Sequence, residues 1–225
     1  MRLGVWAALA ATAVFAVPSA QAAGMKPLSP AMSTWTGCYV GGNIGAGWES
    51  TKVTDEVEGY PIASLSATGI LGGAQVGCDY QIAPQWVIGV QGMWDGTGLS
   101  DSVYPDLLDG AELKGNIPWF ATLTGRVGYL PSPDWMIYAK GGLAWNSTHT
   151  SIVAGGDTVA STTFSQSGWT AGIGAEWKKD PHWSFFGEYD YMDFSPTTVT
   201  LPGDNIGSVK QNIQAVLFGV NYHFN

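Results

Sequence analysis

Charge is scarce in this sequence: only 12% of its 225 residues are Asp, Glu, Lys or Arg, and just nine are Lys or Arg. With a net charge of −9 the chain has no basic surface from which to grip a phosphate backbone, which excludes nucleic acid as a partner. Cysteine is nearly absent, at two residues, and the three histidines, His149, His182 and His223, share no metal-ligand spacing. A long apolar run occurs only at the extreme N-terminus, so the body has no helical membrane span of about 20 residues. The Gly-rich stretch Gly41 to Gly47 is not followed by the Lys-Ser/Thr of a phosphate loop, and no cofactor is expected.

What is abundant is glycine, at 31 residues, and tryptophan, at 11. The N-terminus has an early Arg2, an apolar stretch from Leu3 to Val17 and a small-residue site ending at Ala22, the three regions of a secretory signal peptide. Residues 1–22 are therefore expected to be a cleaved signal peptide, 23–35 a flexible lead-in and 36–225 the folded domain. From Thr36 onward every second residue is apolar or aromatic in eight segments, the period of a strand with two different faces. These are 37–48, 69–82, 86–95, 118–130, 135–146, 168–178, 183–194 and 211–224. In the sixth, Trp169, Ala171, Ile173, Ala175 and Trp177 form one face while Thr170, Gly172, Gly174, Glu176 and Lys178 form the other.

Tight turns at 83–85, 131–134 and 179–182 alternate with long polar links at 49–68, 96–117, 147–167 and 195–210. That rhythm predicts an all-β fold, an eight-stranded antiparallel up-and-down transmembrane β-barrel with periplasmic turns and extracellular loops. Its apolar parity, turned outward, puts Trp48, Trp94, Trp119, Trp145, Trp169 and Tyr191 near the long-loop end. Tyr80, Trp86, Tyr129, Trp135, Trp177, Trp183, Tyr222 and Phe224 fall near the turn end, giving the two aromatic girdles of a bilayer-spanning wall. The expected location is the outer membrane of a Gram-negative bacterium. A soluble β-sandwich would instead collect its aromatics in the interior.

Several motifs carry a resemblance: Trp35-Thr36-Gly37-x-Tyr39-Val40-Gly41, Gly72-Gly73-x-Gln75-x-Gly77-x-x-Tyr80-Gln81, Glu188-Tyr189-x-Tyr191-x-Asp193-Phe194, and the closing Val216-x-Phe218-Gly219-Val220-Asn221-Tyr222-x-Phe224. The chain resembles the small porin-like outer-membrane β-barrels of alphaproteobacteria, a family of OmpA-type eight-stranded barrels that includes surface antigens. One departure is Asn225, which follows the final aromatic residue. The resemblance implies fold and location, and a role as an outer-membrane structural protein, antigen or porin.

The inward parity gathers Gln91, Asp95, Arg126, Lys140, Glu176, Lys178, Glu188 and Asp190, which are expected to pair inside a lumen just wide enough for side chains. The alternative is a narrow ion path lined by the same charges. Cys38 and Cys78 lie on the outward parity of adjacent antiparallel strands. A register pairing them also pairs Trp48 with Thr68, where composition places the ends of the first long link, so a disulfide is expected, with two free thiols as the alternative. The links are acidic, with Glu49, Asp55, Glu56, Glu58, Asp101, Asp106, Asp109, Glu112, Asp157 and Asp204 set against Lys52 and Lys114.

These observations favour a non-enzymatic barrel with an envelope-structural and surface-display role. A small-solute or ion porin is the second reading. A lipid A-modifying enzyme is the third, with Ser147, His149 and Ser151 the sole candidates for its chemistry. The histidines are otherwise expected at exposed or rim positions. Expected partners are outer-membrane lipid and lipopolysaccharide, the barrel assembly machinery, and an extracellular ligand of unknown identity.

Overall fold

The computed structural model describes residues 34–55, 61–103, 112–154, 157–200 and 206–224. The signal-peptide region, most of the lead-in, Asn225 and the acidic residues Glu56, Glu58, Asp106, Asp109 and Asp204 lie outside them. Eight strands are present: β1 (Gly37–Asp55), β2 (Pro61–Ala83), β3 (Trp86–Val103), β4 (Glu112–Ser132), β5 (Trp135–Ala154), β6 (Asp157–Lys178), β7 (Trp183–Thr200) and β8 (Ile206–Phe224). Each pairs antiparallel with its sequence neighbour, and β1 pairs with β8, so the sheet is a closed barrel with no edge strand.

The register fixes the barrel's dimensions. Stepping from Cys38 through its direct partners, Cys78, Val90, Gly125, Gly141, Ala171, Tyr191 and Gln214, leads back to β1 at Trp48, ten residues beyond the start. A shear of ten over eight strands tilts them by about 40° and leaves an interior filled by side chains. Ten residues at about 3.3 Å each, so tilted, rise about 25 Å, the height of an outer-membrane apolar band. The wall between Cys38 and Trp48 therefore matches the hydrocarbon layer.

That wall is inside-out relative to a soluble protein. Ile70 is 71% exposed, and Ile44 and Ile173 are each 64% exposed, whereas the charged residues Arg126, Glu176 and Asp190 are buried. A continuous apolar exterior of this extent needs lipid to cover it. The outward aromatics form two belts. At the turn end Trp86 meets Tyr129 at 5.4 Å between ring centroids, Trp135 stacks on Trp177 at 6.4 Å, and Trp183 meets Tyr222 at 5.1 Å. Near the other end Trp169 meets Tyr191 at 5.5 Å, and Trp48 meets Tyr189 at 6.4 Å.

The links expected at 49–68, 96–117, 147–167 and 195–210 are corrected by the structure, because most of their length is strand. The strands run for 18 to 23 residues, about twice the 9–11 that cross a bilayer. Beyond the upper aromatic belt the outward positions are polar, as at Ser66, Thr68, His149 and Ser165, so the apolar alternation that marks a spanning strand disappears while the hydrogen-bond ladder continues. Thr-rich segments such as Thr162-Thr163 hold β-structure without it.

Turns close the opposite end. In the β6–β7 turn Asp180 Oδ1 accepts hydrogen bonds from the backbone N–H groups of His182 and Trp183, each at 2.9 Å. These bonds, the one from His182 foremost, hold the carboxyl below its ordinary range.

A closed ladder leaves no strand for detergent to invade. The refolded protein is expected to migrate differently on gels before and after boiling. Identical mobility of the two samples would contradict a closed barrel.

Candidate functional site

The lumen is the only place where the fold concentrates polar chemistry among the described residues, and it is layered. At the turn end Trp35, fully buried, crosses the mouth of the barrel. Its indole N–H donates to the Pro133 carbonyl at 3.0 Å, and its backbone N–H donates to Gln81 Oε1 at 3.2 Å. Lys178 Nζ lies 4.6 Å from the center of its ring and donates to the Thr34 carbonyl at 2.8 Å. The His223 ring meets its edge at 6.1 Å. Thr34 and Trp35, the last residues of the expected lead-in, thus form a stopper tied to several strands.

Above it is an ion-pair layer. Arg126 faces Asp79 through two parallel bonds, Nε to Oδ1 at 2.8 Å and Nη2 to Oδ2, and reaches Glu176 Oε2 with Nη1 at 3.2 Å. Its guanidinium sits between two aromatic faces, 4.8 Å from the Tyr39 ring and 5.2 Å from the Tyr138 ring. Both rings need room that only glycine leaves: a Cβ at Gly174 would stand 2.6 Å from Tyr138 Cζ, and Gly77 plays the same part beside Tyr39. Lys140 is held between Glu188 at 2.8 Å and Asp190 at 2.9 Å, and the Tyr138 hydroxyl donates to Glu188 at 2.7 Å. An amide chain links the heights. Gln91 donates to Gln75 at 2.9 Å, Gln75 to Asn221 at 2.6 Å, and Asn221 to Glu176 at 2.8 Å.

Of the residues the sequence points to, Arg126 and Glu176 are thus in contact, as are Lys140, Glu188 and Asp190, with Gln91 joined through amides. Lys178 belongs to the stopper. Asp95 is buried and stands apart from these ion pairs, opposite Phe120 in the register. Asp79, the bidentate partner of Arg126, escaped the sequence reading although its inward parity between outward Cys78 and Tyr80 was a usable signal.

His223 is corrected from a rim position to a lumen one, at 1% exposure. The alternation of β8 turns Tyr222 and Phe224 outward and therefore turns His223 in. Together with Ser184 and Glu176 it supplies the residue types of a nucleophilic triad, but the hydrogen bonding is wrong for one. Ser184 gives its proton to Glu176 Oε1 at 2.5 Å and lies 2.9 Å from His223 Nε2, and that same nitrogen is 3.4 Å from Glu176. A catalytic base accepts the serine proton and is oriented from its other nitrogen. At the opposite end His149 Nδ1 is engaged by the Thr163 hydroxyl at 2.5 Å.

Higher still the lumen turns apolar. Twelve buried residues form one cluster there, among them Leu71, Met93, Phe120, Met192, Phe194 and Leu217, none more than 4% exposed. Over it Gln211 donates to Glu49 at 2.5 Å and accepts from Asn146 at 2.6 Å. Buried Asp95 and Thr122 stand opposite Phe120 and Met93 in the register, so this layer is mostly and not wholly apolar.

On the outer wall Cys38 and Cys78 are paired in register and joined by a disulfide. The chain-entropy model for a bridge spanning 40 residues gives about 4 kcal/mol through the unfolded state. The double variant Cys38→Ser/Cys78→Ser is expected to lose about 2 to 4 kcal/mol, read from the urea midpoint. An unchanged midpoint would show that the staple contributes nothing.

The family model for the outer membrane protein beta-barrel domain matches residues 7–224. The 31 kDa outer-membrane immunogenic protein of Brucella melitensis biotype 1 is 31% identical over 96% of this chain and 93% of its own length. The 25 kDa outer-membrane immunogenic protein of Brucella canis is 28% identical over 85% of this chain and 80% of its own. Among solved structures, the outer membrane protein OprG from Pseudomonas aeruginosa aligns with a TM-score of 0.47 at 16% identity, covering 84% of this chain and 97% of that one.

Proposed function

Because this chain belongs to the outer membrane protein β-barrel domain family and lies in the outer membrane of a Gram-negative bacterium, we propose that it is a non-conducting, non-enzymatic barrel that stabilises the envelope and displays its outer end. The observation that carries this reading is the occupied lumen. Side chains of the apolar cluster crowd the upper bore, with only Asp95, Thr122 and Thr170 polar among them, and the layer beneath it is occupied by ion pairs and by Trp35. Strands that continue well past the upper aromatic belt carry the sheet itself clear of the lipid surface. Display of that kind suits a protein whose relatives are named as immunogenic. The partners that fit are outer-membrane lipid and lipopolysaccharide along the wall, the assembly machinery during insertion, and an extracellular ligand at the loops.

The porin reading requires an aqueous path, and the enzyme reading requires an activated nucleophile at the outer rim. Proteoliposomes holding the refolded barrel are expected to swell no faster in small sugars than empty liposomes. Rapid swelling would establish the porin reading in its place. Lipid A from cells with and without the protein is expected to give identical mass spectra, and a protein-dependent mass change would establish the enzyme.

A further inference from the structure

The lumen does not balance its own charge. Among the described residues five carboxylates are buried in it, Asp79, Asp95, Glu176, Glu188 and Asp190, against three cations, Arg126, Lys140 and Lys178, which leaves two negative charges over, His223 aside. Arg126 and Lys140 are each engaged by two carboxylates, and Lys178 by Trp35 and the Thr34 carbonyl, so no cation is in contact with Asp95. Asp95 is fully buried, and neither of its carboxyl oxygens has a hydrogen-bond partner. A buried carboxylate in that position is costly unless positive charge reaches it.

The polar side chains nearest Asp95 in the register offer oxygens. Gly73 leaves room for its carboxylate: a Cβ there would stand 2.5 Å from Asp95 Oδ1, so the carboxylate leans across β2, on whose far side Asn43 of β1 faces the same glycine. Asn43 Oδ1 is buried without a partner. Thr122 of β4 stands opposite Met93 and is therefore a diagonal neighbour of Asp95, and its buried hydroxyl is also unpartnered. The fourth oxygen is set by the polarity of the amide chain. The Glu176 carboxylate only accepts, so Asn221, Gln75 and Gln91 each turn an N–H toward it, and the chain ends on Gln91 Oε1, a carbonyl oxygen with no donor on the same face of β3 as Asp95. A proton on Asp95 would serve one of these oxygens and leave the others unpaired. We infer that Asp95, Asn43, Thr122 and Gln91, on one side of the lumen between β1 and β4, form a binding site for one hard divalent cation of the calcium class. An oxygen set without thiolate or imidazole selects such an ion, and its two charges cancel the lumen's excess. Calcium tolerates irregular oxygen sets and gives up its water more readily than magnesium, which suits a packed bore. Because the bore is crowded above and stoppered by Trp35 below, the ion enters as the barrel closes and is held from then on.

The inference goes beyond the proposed function, since display and envelope support call for no metal. To test it, the barrel is refolded with radioactive calcium, washed with a chelator while folded to strip ions from its acidic outer end, and freed of unbound ion by gel filtration. About one calcium per chain is expected to remain, and to be released on boiling. Asp95→Asn is expected to shift on boiling as the parent does and to retain none. The parent refolded with calcium should also unfold at a higher temperature than the parent refolded in chelator, whereas Asp95→Asn should unfold at the same temperature in both. A folded, chelator-washed parent that carries no calcium would overturn the inference and leave Asp95 neutralised by a proton. Retention by Asp95→Asn equal to the parent's would overturn it as well, by placing the ion elsewhere.

Discussion

Arg126→Ala is expected to lower the unfolding free energy of the refolded barrel by about 3 to 5 kcal/mol, measured from urea midpoints in detergent. The substitution leaves Asp79 and Glu176, both buried, without the cation that compensates them, and it empties the space between the Tyr39 and Tyr138 rings. Lys179→Ala, which removes a cation from the exposed β6–β7 turn, is expected to change stability by no more than about 0.5 kcal/mol. Arg126→Lys should fall between the two, since an ammonium keeps the charge but cannot make the two parallel bonds to Asp79. Equal midpoints for Arg126→Ala and Lys179→Ala would mean that the lumen ion pairs do not hold the barrel together.

Trp35→Ala should cost about 3 kcal/mol or more, the range for removing a fully buried large aromatic. Its indole is packed against His223 and Lys178 and bonded to the β4–β5 turn, so its loss leaves a cavity at the turn end and frees Lys178 from its aromatic partner. The ladder itself is untouched, so the variant should still shift on boiling, at a lower temperature than the parent. An unaltered transition temperature would assign Trp35 to the lead-in and deny it a part in the barrel.

Different parts of this fold are written in the sequence with different clarity. Alternation through the bilayer is forced by physics, because each spanning strand has lipid on one side and a crowded lumen on the other. Trp169 to Trp177 therefore announces a strand without reference to anything else. Beyond Trp48 or Trp169 that contrast is gone, and the same ladder continues through residues whose pattern reads as loop. In the lumen, parity identifies residues such as Arg126 and Lys140 as inward. It does not say that Arg126 chooses Asp79, since that choice depends on the stagger between strands far apart in the chain. The apolar layer was hidden for a related reason: Leu71, Met93, Met192 and Leu217 sit at inward positions among outward apolar residues, so the alternation blurs where the bore is best sealed. Trp35 was obscured by lying just before the first strand, where no periodicity governs it.

The occluded lumen is the centre of this account, and single-channel recording of the refolded barrel in planar bilayers tests it most directly. The layered interior predicts a flat baseline in molar salt at either polarity, with no steps attributable to an open bore. Stable, discrete conductance steps from the unmodified protein would contradict it, because they would require a water-filled path past Phe120, Met192 and Leu217.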